Sequence, residues 1–165
     1  MKGILKFKKI TILALAFMLM FFSSVNIVKA VTDQVIDNNK KASLTITKYE
    51  HANGSEENIS LAGVEFTIYS IPSNIETVSD AQDYIKNNAV NSHTDITPEN
   101  GTITFTNLEL GRYLVEETDA PKNVMTKVES FLIDLPRSND NGSTWEYDVT
   151  VYPKNITVYG GMIWV

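Results

Sequence analysis

Cysteine is absent from the 165-residue sequence. Its absence excludes disulfide bonds, thiol catalysis and thiolate metal ligands. Histidine is scarce as well, because only His51 and His93 occur, both in polar, turn-like surroundings and without the spacing of a ligand set. We therefore expect no metal site and no cofactor. A covalent link between distant parts of this chain would have to come from other side chains.

The sequence also lacks a run of apolar residues long enough to cross a membrane near its start. The run from Ile10 to Phe22 is shorter than the ~20 residues that span a bilayer. Lysines precede this run, and Val28-Lys29-Ala30 follows it after a polar stretch. This order is typical of a secretory signal peptide, although an N-terminal membrane anchor is the alternative. We predict a signal peptide over residues 1–30, and a secreted mature chain that begins at Val31 and is not held in the membrane.

Basic residues are few in the predicted mature chain. Five of the 14 lysines and arginines, but none of the 20 acidic residues, lie in the signal peptide. The mature part therefore has nine basic and 20 acidic residues, a net charge of −11. Such a surface repels nucleic acid and anionic lipid, so we expect neither as a partner.

Alternating apolar and polar residues predict a series of short strands. Turns with the sequence Asn-Gly at residues 53, 100 and 141 separate several of them. The predicted strands are Ala42 to Glu50, Leu61 to Ile71, Thr102 to Asn107, Arg112 to Thr118, Val128 to Leu135 and Trp145 to Asn155.

One helix interrupts this pattern, over Ser79 to Lys86, with Ser79 and Gln82 as a capping box. We expect it to be an insertion packed on the flank of a sheet. The predicted fold is all-β with one short inserted helix, an immunoglobulin-like or Greek-key β-sandwich. In this scheme residues 31–41 form a flexible leader, 42–158 the domain, and 159–165 a tail that looks cut off.

Three polar side chains share the apolar face of their predicted strands: Lys48, Glu117 and Asn155. An amine, a carboxylic acid and a carboxamide held together out of water are the reagents for an intramolecular amide bond, in which Lys48 attacks the Asn155 carbonyl. Glu117 would polarise that carbonyl and shuttle protons to the departing ammonia. A chemically silent Lys–Glu ion pair capped by an asparagine needs the same residues, and residue chemistry alone leaves both open.

Lys154 has the opposite parity and is expected to face solvent beside the buried Asn155. Pro153 removes one backbone donor before it, so we expect the edge of the sheet to stay open there.

Several of these segments resemble the N-terminal domain of Gram-positive major (backbone) pilins, over nearly all of residues 42–158. The similar stretches are Leu61 to Tyr69, Leu108 to Pro121 and Trp145 to Asn155. The family's glutamate box is matched by Tyr113, Val115, Glu117, Thr118, Ala120 and Pro121, and its pilin motif by Trp145, Val149, Val151, Tyr152, Pro153, Lys154 and Asn155.

The resemblance implies a Cna-B-type sandwich in a pilus on the surface of a Gram-positive cell. It implies that Glu117 promotes an isopeptide bond between Lys48 and Asn155, a single event without enzymatic turnover. It further implies that a class C sortase joins Lys154 to a neighbouring pilin subunit. No host ligand is indicated.

Two other functions remain as alternatives. A stalk repeat of a wall-anchored adhesin would share the fold and the glutamate box, but the Tyr-Pro-Lys-Asn run at residues 152–155 argues against it. A secreted glycosidase or carbohydrate-binding domain would need paired carboxylates across a cleft, whereas Glu116 and Glu117 are predicted to lie on opposite faces. Backbone pilins also end in a sorting signal that this sequence lacks. We therefore expect the chain to be a fragment or a truncated product.

Overall fold

A computed structural model describes residues 35–52, 57–139, 142 and 144–157. The predicted signal peptide (1–30), the predicted Asn53-Gly54 turn and the tail (159–165) lie outside these residues. In the part of the chain described, no helix is long and apolar enough to cross a membrane.

Strands dominate the described chain, together with a single helix, α1, at Val78–Asn87. The strands are β1 Ala42–Thr47, β2 Tyr49–Ala52, β3 Ile59–Ser60, β4 Glu65–Ile71, β5 Ser92–Ile96, β6 Thr102–Leu108, β7 Gly111–Asp119, β8 Val124–Thr126, β9 Phe131–Leu135, β10 Arg137–Ser138, β11 Trp145–Glu146, β12 Asp148–Val151 and β13 Lys154–Thr157.

Two sheets enclose one hydrophobic core. One sheet has the order β12-β1-β6 and the other β5-β4-β7-β9. The buried core includes Leu44 and Phe105 from the first sheet and Phe66 and Val115 from the second. Alternate residues of each strand supply this core, as the period of two along a strand requires. The prediction of an all-β sandwich with one helix is confirmed.

The first and last strands of the domain run side by side in parallel. Ser43 lies opposite Asp148 where β1 pairs with β12, and Tyr49 lies opposite Lys154 where β2 pairs with β13. The two pairings keep the same register, so β2 and β13 continue the paths of β1 and β12. They form a further sheet of order β3-β2-β13-β8.

Helix α1 covers the outer face of the β5-β4-β7-β9 sheet rather than its flank. Its buried Ala81 packs against Ile71 and Leu114, which face away from the main core. The predicted capping box is wrong: the N-cap is Thr77, whose side chain accepts a hydrogen bond from the Asp80 N–H at 3.1 Å. Ser79 lies inside the first turn instead.

Four predicted strands are shorter or divided. The strand expected from Leu61 begins at Glu65, because the N–H groups of Gly63 and Val64 donate to Thr97 (2.8 and 3.0 Å) instead of to a ladder. The strand expected from Val128 begins at Phe131.

The first predicted strand divides at Lys48, and the last one divides into β11, β12 and β13. Pro153, which has no N–H, lies at the break between β12 and β13. Its carbonyl accepts from Tyr49 N at 3.2 Å, so the parallel alignment continues across the break.

Candidate functional site

The three polar side chains that sequence parity assigned to the interior meet inside the sandwich. Lys48 and Asn155 are 0% and 2% exposed, and the side chain of Glu117 is completely buried. Buried charged and amide groups are costly unless they are paired, so their mutual contacts decide whether the fold tolerates them.

The contacts between these side chains form a closed triangle. Lys48 Nζ donates to Asn155 Oδ1 at 2.7 Å, and Asn155 Nδ2 donates to Glu117 Oε1 at 2.7 Å. The other carboxylate oxygen, Glu117 Oε2, lies 3.4 Å from Lys48 Nζ. The carboxyl group therefore faces the amide nitrogen and the amine with different oxygens. It contacts the amide nitrogen of Asn155 rather than the carbonyl oxygen, which favours a role in proton transfer over the predicted role in polarising the carbonyl.

Backbone contacts fix Lys48 at the junction of β1 and β2. Its N–H donates to the Gly101 carbonyl at 2.8 Å, and its carbonyl accepts from the Leu61 N–H at 3.0 Å. Gly101 has φ +70°, and a Cβ there would lie 2.6 Å from the Lys48 carbonyl oxygen. Only glycine combines this backbone conformation with so close an approach.

Asn155 and Glu117 reach the same place from two directions. The parallel register that pairs Tyr49 with Lys154 puts Asn155 opposite Glu50, two positions along from Lys48 and on the same face. Glu117 comes from β7 of the facing sheet, where it pairs with Phe66. The Phe66 ring centre lies 6.0 Å from Lys48 Nζ and closes one side of the site.

Burial lowers the pKa of Lys48 to about 8, although the charge of Glu117 and the hydrogen bond that the amine donates to it oppose this change. A larger fraction of the amine is therefore neutral near physiological pH than for an exposed lysine. A neutral amine against a carbonyl, with a carboxyl group between amine and leaving nitrogen, is suited to amide exchange. The same contacts also suit a silent ion pair.

The sequence prediction missed three neighbours of the triangle. The Val128 N–H donates to Glu117 Oε2 at 3.2 Å. Glu50 and Thr157 extend the buried polar face, at 4% and 0% exposed, and Thr157 Oγ1 has no hydrogen-bond partner within the described residues. Parity could have identified Glu50 and Thr157, since they alternate with the predicted site residues, but a backbone N–H has no sequence signal.

Lys154 lies on the opposite face of β13 and is exposed. Beside it, Tyr152 is 60% exposed and stacks on Tyr49, with ring centres 6.4 Å apart. β13 lies between β2 and β8, but β8 pairs with Ile156 and Thr157 rather than with this lysine, so the expectation of an open sheet edge at Lys154 stays a prediction. What exposes the amine is the outward parity of its side chain.

The two adjacent carboxylates do not form a pair across a cleft. Glu116 accepts from Gln82 of α1 at 2.8 Å on the outer face, whereas Glu117 lies in the core. This arrangement lacks the paired carboxylates that a glycosidase requires.

Comparisons with known proteins agree on one kind of domain. Residues 23–156 match the sequence profile of the family described as Gram-positive pilin subunit D1, N-terminal domain. The fimbrial subunit type 1 of Actinomyces viscosus is 33% identical over 145 residues, which cover 73% of this chain and 27% of the relative.

Solved structures give the same result. The full-length major pilin SpaD from Corynebacterium diphtheriae is 33% identical, with a TM-score of 0.61 over 74% of this chain and 32% of the pilin. The shaft pilin SpaA from Lactobacillus rhamnosus GG is 20% identical, with a TM-score of 0.53 over 73% of this chain and 52% of that pilin, and supports the fold alone. The chain thus spans about a quarter to a third of the length of the two more similar relatives.

Proposed function

The chain belongs to the family of N-terminal D1 domains of Gram-positive pilin subunits, and from this we propose that it serves as a structural subunit of a sortase-assembled pilus on the cell surface. In this proposal the domain carries two amide cross-links. One joins Lys48 to Asn155 within the domain, and the other joins Lys154 to a neighbouring subunit.

The closed triangle of Lys48, Glu117 and Asn155 is the observation that carries the internal bond. The neutral amine of Lys48 attacks the side-chain carbonyl carbon of Asn155, forming the new C–N bond as the old bond to Nδ2 breaks. The carboxylate of Glu117 takes one proton from the attacking nitrogen at Oε2 and, as a carboxyl group, gives one proton to the departing nitrogen, which leaves as ammonia. Glu117 ends with as many protons as it began with, so the carboxyl group acts as both base and acid.

The fixed positions of the three side chains account for the rate of this step. The three groups are already within hydrogen-bond distance, and well-oriented groups reach effective molarities of ~10⁵ to 10⁸ M. Because the bond consumes its own residues, the step occurs once per molecule and the domain is not an enzyme with turnover.

Intact mass of the purified mature chain tests the internal bond. We expect the wild type to begin at Val31 and to weigh one ammonia less than its sequence. Glu117→Gln keeps the shape but cannot shuttle the proton, so it should retain the full mass. Glu116→Gln, the adjacent change on the other face, should still lose ammonia. A wild-type chain of full mass would show that the triangle is a silent ion pair.

The exposed amine of Lys154 supports the external bond, because it projects from a strand whose next residue is fixed in the core. Incubation with a class C sortase and a sorting-signal peptide should place the peptide on Lys154, and Lys154→Arg should abolish the adduct. Lys86 and Lys122 serve as internal controls. Equal labelling of all three lysines would contradict the proposal.

A further inference from the structure

A short segment between β8 and β9, residues 127–130, lies against the end of β7 that carries Glu117. Ser130 Oγ donates to the Glu116 side chain at 3.2 Å, the Val128 N–H donates to Glu117, and the Lys127 amine donates to the Thr118 carbonyl. This one segment thus holds three consecutive residues of β7, Glu116 to Thr118. Its contacts reach both the inner and the outer face of that strand.

The Val128 N–H makes the two oxygens of Glu117 inequivalent. Oε2 accepts from Val128 N at 3.2 Å and lies 3.4 Å from Lys48 Nζ, whereas Oε1 lies 2.7 Å from Asn155 Nδ2. Both oxygens therefore accept from fixed donors, and the Val128 N–H holds the carboxyl group with Oε2 toward the amine and Oε1 toward the amide nitrogen.

We propose that the backbone N–H of Val128 is a positioning group for isopeptide formation, which orients the Glu117 carboxyl so that one oxygen faces the attacking amine and the other faces the leaving nitrogen. This inference rests on the proposed function of the triangle. The donor also stabilises the negative charge of the carboxylate before Oε2 receives the proton of the attacking amine, and again after the carboxyl has given a proton to the departing nitrogen. No additional reactant is needed.

The experiment measures the rate at which the mature chain, purified unreacted in denaturant, loses ammonia after refolding. Replacing Val128 by its α-hydroxy acid turns the amide into an ester and removes only the N–H. We expect bond formation to slow about 10- to 100-fold, the usual range for losing a hydrogen bond to a charged group. Val128→Pro should act in the same direction, and Val128→Ala, which keeps the N–H, should react at the wild-type rate.

The controls separate positioning from folding. An ester at the exposed Glu129 tests the effect of the backbone chemistry itself, and circular dichroism after refolding reports whether each chain folds. A Val128 ester that folds and reacts at the wild-type rate would overturn the positioning role, and so would a Val128→Ala chain that folds but is as slow as the ester. A wild-type chain that keeps its ammonia would instead overturn the isopeptide bond itself, and with it this inference.

Discussion

Lys48 is 0% exposed, and this burial changes the pH at which its amine loses a proton. Its pKa falls from 10.5 to about 8 in the fold because burial disfavours the protonated amine. Below pH 8 the amine is protonated in both the folded and the unfolded chain, and the folded state is destabilised by burial of this charge. Between about 8 and 10.5 only the unfolded chain binds this proton, so the unreacted fold gains stability as the pH rises.

This lowered pKa predicts how the rate of internal bond formation varies with pH. Only the neutral amine can attack, so the rate of ammonia loss after refolding should rise by up to about tenfold per pH unit below pH 8 and level off above it. Mass spectrometry of samples quenched at intervals gives these rates. A rate that does not change between pH 6 and 8 would contradict the assignment of Lys48 as the nucleophile.

Gly101 predicts a second effect at the scale of single residues. Ala at this position must adopt φ +70° and place its Cβ 2.6 Å from the Lys48 carbonyl oxygen. Gly142 has φ +65° but open space where its Cβ would lie, which makes Gly142→Ala a matched control. We expect Gly142→Ala to cost about 1 to 2 kcal/mol for the backbone conformation alone. Gly101→Ala should cost about 1 to 3 kcal/mol more, for the clash. Urea unfolding of both variants measures the difference, and equal costs would argue against the close approach.

At the scale of strands and helix, α1 allows a test of where a helix begins. Thr77→Ala removes the side chain that caps the Asp80 N–H and should destabilise the domain by about 1 kcal/mol. Ser79→Ala removes the hydroxyl that the sequence pattern favoured as the cap, and it should have little effect, because alanine is a good helix former at that position. Thermal unfolding of the two variants distinguishes them. A larger loss for Ser79→Ala would restore the capping box predicted from sequence.

Strand alternation predicted which side chains face the core, and therefore predicted that Lys48, Glu117 and Asn155 share the interior. The same pattern could not show where one strand ends and the next begins. At Lys48 the burial alternation continues without interruption from Ala42 to Glu50, while the strand changes its partners. Which strands pair with a segment depends on other parts of the chain, so the alternation within that segment cannot predict its partners.

The end of the last strand shows the same limit. Pro153 marked a missing donor in the sequence, and the expectation of an open edge followed from it. The structure places β8 beside β13 at Ile156 and Thr157, a neighbour that alternation could not predict and that pairs beyond Lys154. The Val128 N–H was beyond prediction for a related reason, since every residue except proline has one and only the fold decides what it meets.

At the scale of the whole molecule, the proposed bond would link two residues 107 positions apart in the chain. By analogy with a cross-link that closes a loop of this length, it should disfavour unfolding by about 4 to 5 kcal/mol. The denaturation midpoint of the wild type should therefore lie well above that of Glu117→Gln, while Glu116→Gln controls for loss of one acidic group. If all three chains unfold together, the cross-link contributes nothing to stability.

The parallel alignment of the first and last strands has a mechanical consequence. A pull that separates Ala42, at the start of β1, from Thr157, at the end of β13, slides neighbouring strands past each other in opposite directions. Such shear loads all the hydrogen bonds of both ladders at once, whereas a pull across a hairpin would break its bonds one after another. With Lys48 joined to Asn155, tension would cross between the two strands through a single covalent link, and the ladders on either side of it would no longer have to bear the force.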